Sequence, residues 1–347
     1  MLRHQVLVRL AQQSGLELVG AVPAGPARSL EAYRAWIEAG YAGGMDYLTR
    51  PDAVARRADP RRILPEARTV LVVGASYAGA PLPPPAPLQG RVARYAWGED
   101  YHRWLLRRLK SLVRRIEEVA GPFSSRCYVD TGPLLERDWA EAAGLGWLGK
   151  NSNLIHPTWG SYLFLGVALL SIEVEPPAPE TLPSCGTCTR CLGACPTGAL
   201  VAPGVIDARR CLSYLTIEHR GAIPPELRPA LGERVFGCDR CQEVCPWNRQ
   251  PPEGGAQVAA PPNATLYLPD LLTLDAAGFR ARFRRTPLWR ATPEGLARNA
   301  AVVLGNLGDL QALPILERTA ESHTSALVRE HAAGALRRLR GASRSAR

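Results

Sequence analysis

Eight of the nine cysteines in this 347-residue chain fall between residues 185 and 245. The first block reads Cys185-x2-Cys188-x2-Cys191-x3-Cys195-Pro196. The second reads Cys238-x2-Cys241-x3-Cys245-Pro246, with Cys211 between the two. The first run has bacterial ferredoxin spacing, in which the fourth cysteine serves a different cluster from the first three. Eight thiolates in this order imply two 4Fe-4S clusters. By the crossing rule, Cys185, Cys188, Cys191 and Cys245 would hold one, and Cys195, Cys211, Cys238 and Cys241 the other. Such a chain moves single electrons.

Two simpler readings compete. Structural zinc also uses C-x2-C pairs, but in two separated pairs, which this run does not resemble. Disulfides need an oxidising compartment, and residues 1–13 read as an amphipathic helix rather than a signal peptide. Cys127 stands outside the pattern and is expected to be a small buried apolar residue.

Hydrophobic residues make up 46% of the chain and charged residues 21%, a globular balance for two or three domains. The longest apolar run, Tyr162 to Leu170, is too short to cross a bilayer. The expected compartment is the cytoplasm. Formal net charge is +10, and lysine occurs only at positions 110 and 150. From Arg280 to Arg347 there are 13 arginines against five acidic residues. Genome composition could explain arginine over lysine, but not its concentration at one end. The tail is therefore expected to meet a polyanion.

Periodicity predicts a helix over 1–13, a strand over Leu16–Val22 and a helix over Leu30–Ala39 capped by Ser29. Residues 41–68 read as irregular. Thr69–Ser76 and Leu163–Ile172 read as buried strands and Arg126–Asp130 as a short one. His102–Ala120 reads as a basic amphipathic helix with Leu105, Leu109, Leu112 and Ile116 on one face, and Leu134–Ala143 as another helix. The mixture points to an α+β chain or an open α/β sandwich. Ala80–Pro87 reads as a proline-rich loop, and Glu173–Pro183 and Gln250–Pro262 as linkers. They suggest units at 1–175, 176–250 and 263–347. In the last, Leu296-Ala-Arg298-Asn-Ala-Ala301 is echoed 31 positions later by Leu327-Val-Arg329-Glu-His-Ala332, resembling a short HEAT repeat with Asp309–Ala320 as the partner helix.

Gly144-Leu-Gly146-Trp-Leu-Gly149 spells a dinucleotide fingerprint, but a helix precedes it where a strand is required. Its glycines are expected to admit a flat ligand or another element. Asp130, at a strand end, reads first as a turn residue. His102, His156 and His219 have no metal-ligand spacing.

Five stretches carry a resemblance to a known family: Arg94-Tyr-Ala-Trp-Gly-Glu-Asp-Tyr-His102, Val129-Asp-Thr-Gly-Pro-Leu-Leu-Glu-Arg137, Ala143-Gly-Leu-Gly-Trp-Leu-Gly-Lys-Asn-Ser152, Asp207-Ala-Arg-Arg-Cys-Leu-Ser-Tyr-Leu-Thr-Ile-Glu218 and Gly237-Cys-Asp-Arg-Cys-Gln-Glu-Val-Cys-Pro-Trp-Asn248. In order and over most of residues 1–250, they resemble the epoxyqueuosine reductases. The resemblance implies an N-terminal α/β sandwich domain that binds cobalamin, a two-cluster ferredoxin-like domain and a C-terminal HEAT-like helical domain. It implies reduction of epoxyqueuosine to queuosine at the tRNA wobble position, with electrons from a low-potential donor. The family's catalytic acid falls on Asp130, which displaces the turn reading. Its cobalamin contacts fall near Arg57, Leu154, Leu165, Ser213 and Asp239, as well as Asp130. Arg220, Arg285, Arg298 and Arg329 are the candidates for gripping tRNA, and the protein is expected to be monomeric.

On this reading Asp130 protonates the opening epoxide oxygen, so burial beside the corrin should raise its pKa. Removing the tail should weaken tRNA binding more than cluster assembly. Two other classes are a cobalamin-dependent reductive dehalogenase and a non-enzymatic electron carrier. The first usually carries an export signal and acts on small molecules; the second leaves residues 1–175 without a purpose.

Overall fold

The computed structural model describes residues 1–79, 84–179, 181–249 and 262–345. Residues 80–83 of the proline-rich loop, Glu180 and residues 250–261 of the second linker lie outside them. The N-terminal part is built on a four-stranded sheet in the spatial order Leu18–Pro23, Thr69–Ser76, Leu163–Leu170, Ser125–Tyr128. Each neighbouring pair is antiparallel. All eight residues of Thr69–Ser76 are buried, because helices cover both faces.

Alternate side chains of a strand point to opposite faces. Leu71, Val73 and Ala75 meet Leu105, Leu109, Leu112 and Ile116 of the helix Tyr101–Ala120, with Leu7 and Leu10 of the helix His4–Gln13. Val70 and Val72 meet Trp139 and Ala140 of the helix Glu136–Ala142 on the other side. The three-layer sandwich is as expected from the apolar runs, and its antiparallel sheet is not a dinucleotide-binding one.

Two local expectations need correction. Residues 41–68 are not irregular: Asp46–Thr49 and Pro51–Ala58 are helical, with a 3-10 turn at Pro60–Arg62. Pro51 starts its helix because the first turn has no use for its missing N–H, and Asp59 accepts a bond from Arg61 N at 2.9 Å. Ser29 does precede the helix Leu30–Glu38, but its side chain makes no capping bond.

A second sheet joins distant parts of the chain. Gln89–Val92 pairs parallel with Arg234–Phe236 and antiparallel with Thr265–Tyr267. The C-terminal helices Thr292–Leu307, Leu313–Ser322 and Ala326–Ser345 follow. The two echoed motifs lie on the first and third of these helices, with Leu313–Ser322 between them. Leu296, Ala300 and Val303 share one continuous core with Leu212, Leu215, Val235 and Phe236 of the cysteine-bearing segment. Removing the tail would therefore strip the cluster segment of much of its core.

Candidate functional site

The cysteines sit where short helices and X-Pro steps turn the backbone. Cys191 opens out of the helix Arg190–Ala194 and Cys241 out of Arg240–Glu243. Cys195 and Cys245, each before a proline, are held extended, as the ring of the next residue requires. Cys185, Cys188, Cys191 and Cys245 line one cavity. Burial pushes the Cys245 thiol up, and the charges of Cys185, Cys191 and Cys188 raise it further. In the other group, burial lifts Cys211, with Cys195 adding to it, and lifts Cys238 to about 11, with Cys211 adding to it. Cys241 is raised by burial, then by Cys238 and Cys211. Cys191, of the first group, also raises Cys241, so the two groups of cysteines lie side by side.

All nine cysteines are free thiols. Among the described residues, no group of three or more Cys, His, Asp or Glu side chains is arranged to hold a single metal ion. Four thiols around a cavity suit a cage-shaped iron–sulfur cluster better than one ion. At a thiol raised as far as Cys238, loading metal must release a proton.

The second centre gathers around Asp130, which follows the strand Ser125–Tyr128 and has a left-handed φ of 57°. Its side chain is 54% exposed, open to solvent although ringed by polar groups. Tyr101 Oη donates to Asp130 Oδ2 at 2.8 Å, and His102 Nε2 lies 3.3 Å from the same oxygen. His102 Nδ1 is 2.6 Å from Asp100 Oδ1, and Asp130 N donates to Glu136 Oε1 at 2.7 Å. Tyr101 and His102 stack 4.1 Å apart at the start of their helix. Tyr47, Arg290 and Glu218 close the ring: Arg290 pairs with Glu218 and donates to Tyr47 Oη at 3.2 Å, and the Arg290 charge reaches Asp130.

The neighbours of Asp130 draw its carboxyl toward the ionised form. Burial would raise its pKa, but bonds from His102 and Tyr101 outweigh that and hold it below the ordinary carboxylate range. The direction at Asp130 is opposite to the rise expected from burial beside the corrin. The protons sit on its neighbours. Burial alone would lower His102, yet its bonds to Asp100 and Asp130 lift it to about 9. Burial, then the Asp130 charge, pushes Glu136 up to about 8. Sequence reasoning missed His102 and Glu136. The signal was present in their stretches, Asp100-Tyr-His102 and Asp130 to Glu136, but His102 was weighed only for metal-ligand spacing, which it lacks.

The five further residues expected near cobalamin are placed as follows. Leu154 and Leu165 are buried in one apolar cluster with Trp139. Asp239 is buried, accepts from Arg94 N at 2.7 Å, and is pushed up to about 6 by burial. Its charge reaches Tyr162, at the head of the strand that bears Leu165. Arg57 is buried, with its guanidinium 5.9 Å from the Tyr33 ring centre. Ser213 is half-buried two residues after Cys211.

The tRNA candidates divide. Arg298 is fully buried and donates to Leu215 O at 2.6 Å, Gly221 O at 2.7 Å and His219 O at 2.8 Å. It holds the fold together and cannot reach a phosphate, which corrects its assignment. Arg329, its echo in the repeat, donates to His323 O and Thr324 O. Arg220 donates to Ile217 O, Ala291 O and Arg290 O. Arg285 is exposed, on a concavity it shares with Arg280, Arg282 and Arg284.

Residues 184–248 match the family of 4Fe-4S double cluster binding domains. Residues 57–131 match the family described as epoxyqueuosine reductase QueG, DUF1730. The epoxyqueuosine reductase of Pseudomonas aeruginosa is 42% identical over 87% of this chain and 85% of its own. That of Gloeobacter violaceus is 46% identical over 79% of this chain and 86% of its own. A crystal structure of epoxyqueuosine reductase with a tRNA-Tyr epoxyqueuosine-modified stem loop superposes with a TM-score of 0.89. It is 32% identical, covering 96% of this chain and 89% of that one. Among the described residues, no helix is long and apolar enough to cross a membrane. The chain belongs to the epoxyqueuosine reductase family, whose members are oxidoreductases.

Proposed function

We propose that this protein reduces the epoxide of epoxyqueuosine at the wobble position of tRNA to the alkene of queuosine, working as a cytoplasmic monomer. The balance is one epoxide, two electrons and two protons in; one alkene and one water out. The observation that carries the reading is the hydrogen-bonded group of Asp130, Tyr101, His102 and Glu136 in a chain with a double-cluster segment. The relatives' names and the tRNA stem loop bound by one of them supply the substrate.

Arg57, Leu154, Leu165, Ser213 and Asp239 are the residues that would hold cobalamin. The fit is supported by Trp139 Nε1, buried with no partner among the described residues in the cluster of Leu154 and Leu165, where a corrin's peripheral amide could accept from it. Bound there, cobalamin supplies a low-valent cobalt able to reduce carbon one electron at a time. The protein's own work is to deliver protons and exclude alternatives. Asp130 accepts the substrate's approach and passes on the proton held at His102 Nε2, so the oxygen leaves as hydroxide rather than alkoxide. Glu136, which accepts from Asp130 N, supplies the second proton that makes water. Tyr101 and Asp100 keep the two reacting groups oriented.

Cys185, Cys188, Cys191 and Cys245 hold one cluster, and Cys195, Cys211, Cys238 and Cys241 the other. An external low-potential carrier feeds them. The exposed arginines around Arg285 meet the tRNA phosphates, so binding weakens with salt, and the base leaves its stack to reach Asp130. The test is nucleoside mass analysis after anaerobic incubation of epoxyqueuosine-containing tRNA with the reconstituted protein, cobalamin and a strong reductant. A nucleoside one oxygen lighter establishes the reaction. No change, with clusters and cobalamin both present, discards this substrate.

A further inference from the structure

The glycine-rich segment after the helix Glu136–Ala142 takes no part in the proton site, yet it is pinned against the cysteines. Trp147–Leu148 and Leu154–Ile155 pair as a small antiparallel hairpin. Gly146 has φ 144°, and a Cβ there would stand 2.2 Å from Ile155 O, so only glycine lets the hairpin close. In the connecting loop, Gly149 N donates to Asn153 O at 2.8 Å and Ser152 N to Gly149 O at 2.9 Å. Ser152 Oγ donates to Gly204 O at 2.9 Å, and Arg137 donates to Ser152 O.

Asn151 lies in this loop and is 4% exposed. Its Oδ1 accepts from Asn153 N at 3.2 Å, which fixes the direction of the amide. Its Nδ2 is buried and has no hydrogen-bond partner among the described residues. Asn151 lines the same cavity as Cys185, Cys188, Cys191 and Cys245. Two cations, Lys150 and Arg190, line it too, with no carboxylate among its lining residues. Lys150 Nζ donates to Gly186 O at 2.7 Å, drawing the ammonium onto the cysteine loop. Leaving a buried amide N–H unmatched costs about 1–3 kcal/mol. The acceptors that a loaded cavity would present are sulfurs.

We propose that Asn151 Nδ2 donates to a sulfur of the cluster held by Cys185, Cys188, Cys191 and Cys245, and so raises that cluster's reduction potential. A reduced cluster carries one more negative charge than an oxidised one. An N–H donor and the neighbouring Lys150 charge stabilise that form more. Asn151 is thus a positioning residue for electrons: it makes this cluster the easier one to fill. The inference rests on the proposed ligand grouping and not on the tRNA substrate.

The experiment is a mediated potentiometric titration of the two-cluster protein, followed by electron paramagnetic resonance, on the parent, Asn151→Leu and Asn151→Asp. Leucine keeps the volume and removes the donor. Aspartate keeps the bond to Asn153 N and replaces the donor by an anionic oxygen. One transition should move down in Asn151→Leu by about tenfold in the oxidised-to-reduced ratio at fixed potential, about 59 mV for one electron. It should move further in Asn151→Asp, and the other transition should stay in place. Cys245→Ala identifies which transition belongs to this cavity, so an error in the grouping is separable from an error in the role of Asn151. Unmoved transitions, an upward shift, or both moving together would overturn the proposal. So would loss of half the iron in both Asn151 variants, since a tuning donor is dispensable for assembly.

Discussion

His102 Nε2 lies 3.3 Å from Asp130 Oδ2, while the other imidazole nitrogen is 2.6 Å from Asp100 Oδ1. One ring bridges two carboxylates, so it is charged through neutrality, and Asp130 is ionised because the ring is charged. Asp130 acts as the contact point of a pair whose proton resides on the histidine.

The pair sets a pH dependence. Glu136 loses its proton at about 8 and His102 at about 9. Both protonated forms are needed, so the single-turnover rate should hold near neutrality and fall as pH rises through about 8, then fall again through about 9. Glu136→Gln should remove the first fall and slow the reaction. A rate that rises with pH across this window contradicts the assignment. The same His102 shift, upward from 6.5, makes the ring stabilise the fold fully below about pH 6.5, with that contribution lost as pH passes about 9.

Asp130→Asn should cut turnover by about 10²- to 10⁴-fold, the usual weight of a proton-transfer residue. Cobalamin and tRNA should stay bound, as read by absorbance and by filter binding. Loss of binding instead would make Asp130 a structural residue.

Arg298→Ala should destabilise the protein by about 3 kcal/mol, because it leaves several buried carbonyls without a donor. Urea unfolding measures this. In the fraction that remains folded, the salt dependence of tRNA affinity should not change. Arg285→Ala should do the reverse: little effect on stability, and a salt slope smaller by about one.

Cys245→Ala and Cys195→Ala should each lose a different cluster. Iron content should fall from about eight to about four per chain in both, with distinct resonance signals surviving. Identical surviving spectra would reject the crossed ligand sets.

The double-cluster segment was legible because metal ligation is written locally: Cys185 to Cys195 and Cys238 to Cys245 declare themselves by spacing. The strands Thr69–Ser76 and Leu163–Leu170 were legible because burial on both faces leaves continuous apolar runs. The Asp130–His102 contact was not, since it joins residues 28 positions apart, and only the antiparallel sheet and its covering helix bring them together. Arg298 was misread for a different reason. Helical periodicity says which residues share a face, not whether that face is covered. Its setting held the clue: residues 295–305 are all buried, and an arginine within so apolar a run needs internal partners. The irregular reading of residues 41–68 failed because helices of four to eight residues leave too few turns for a period to register.

The small sheet of Gln89–Val92, Arg234–Phe236 and Thr265–Tyr267 has a mechanical meaning. Its middle strand belongs to the first third of the chain and its outer strands to the parts on either side of residues 250–261. A protease cut within that stretch would therefore not free a helical fragment from an iron–sulfur fragment. The two pieces would migrate as one particle through a sizing column and part only in denaturant. A lineage could not trade this tail for another without also remaking the strand that seats it.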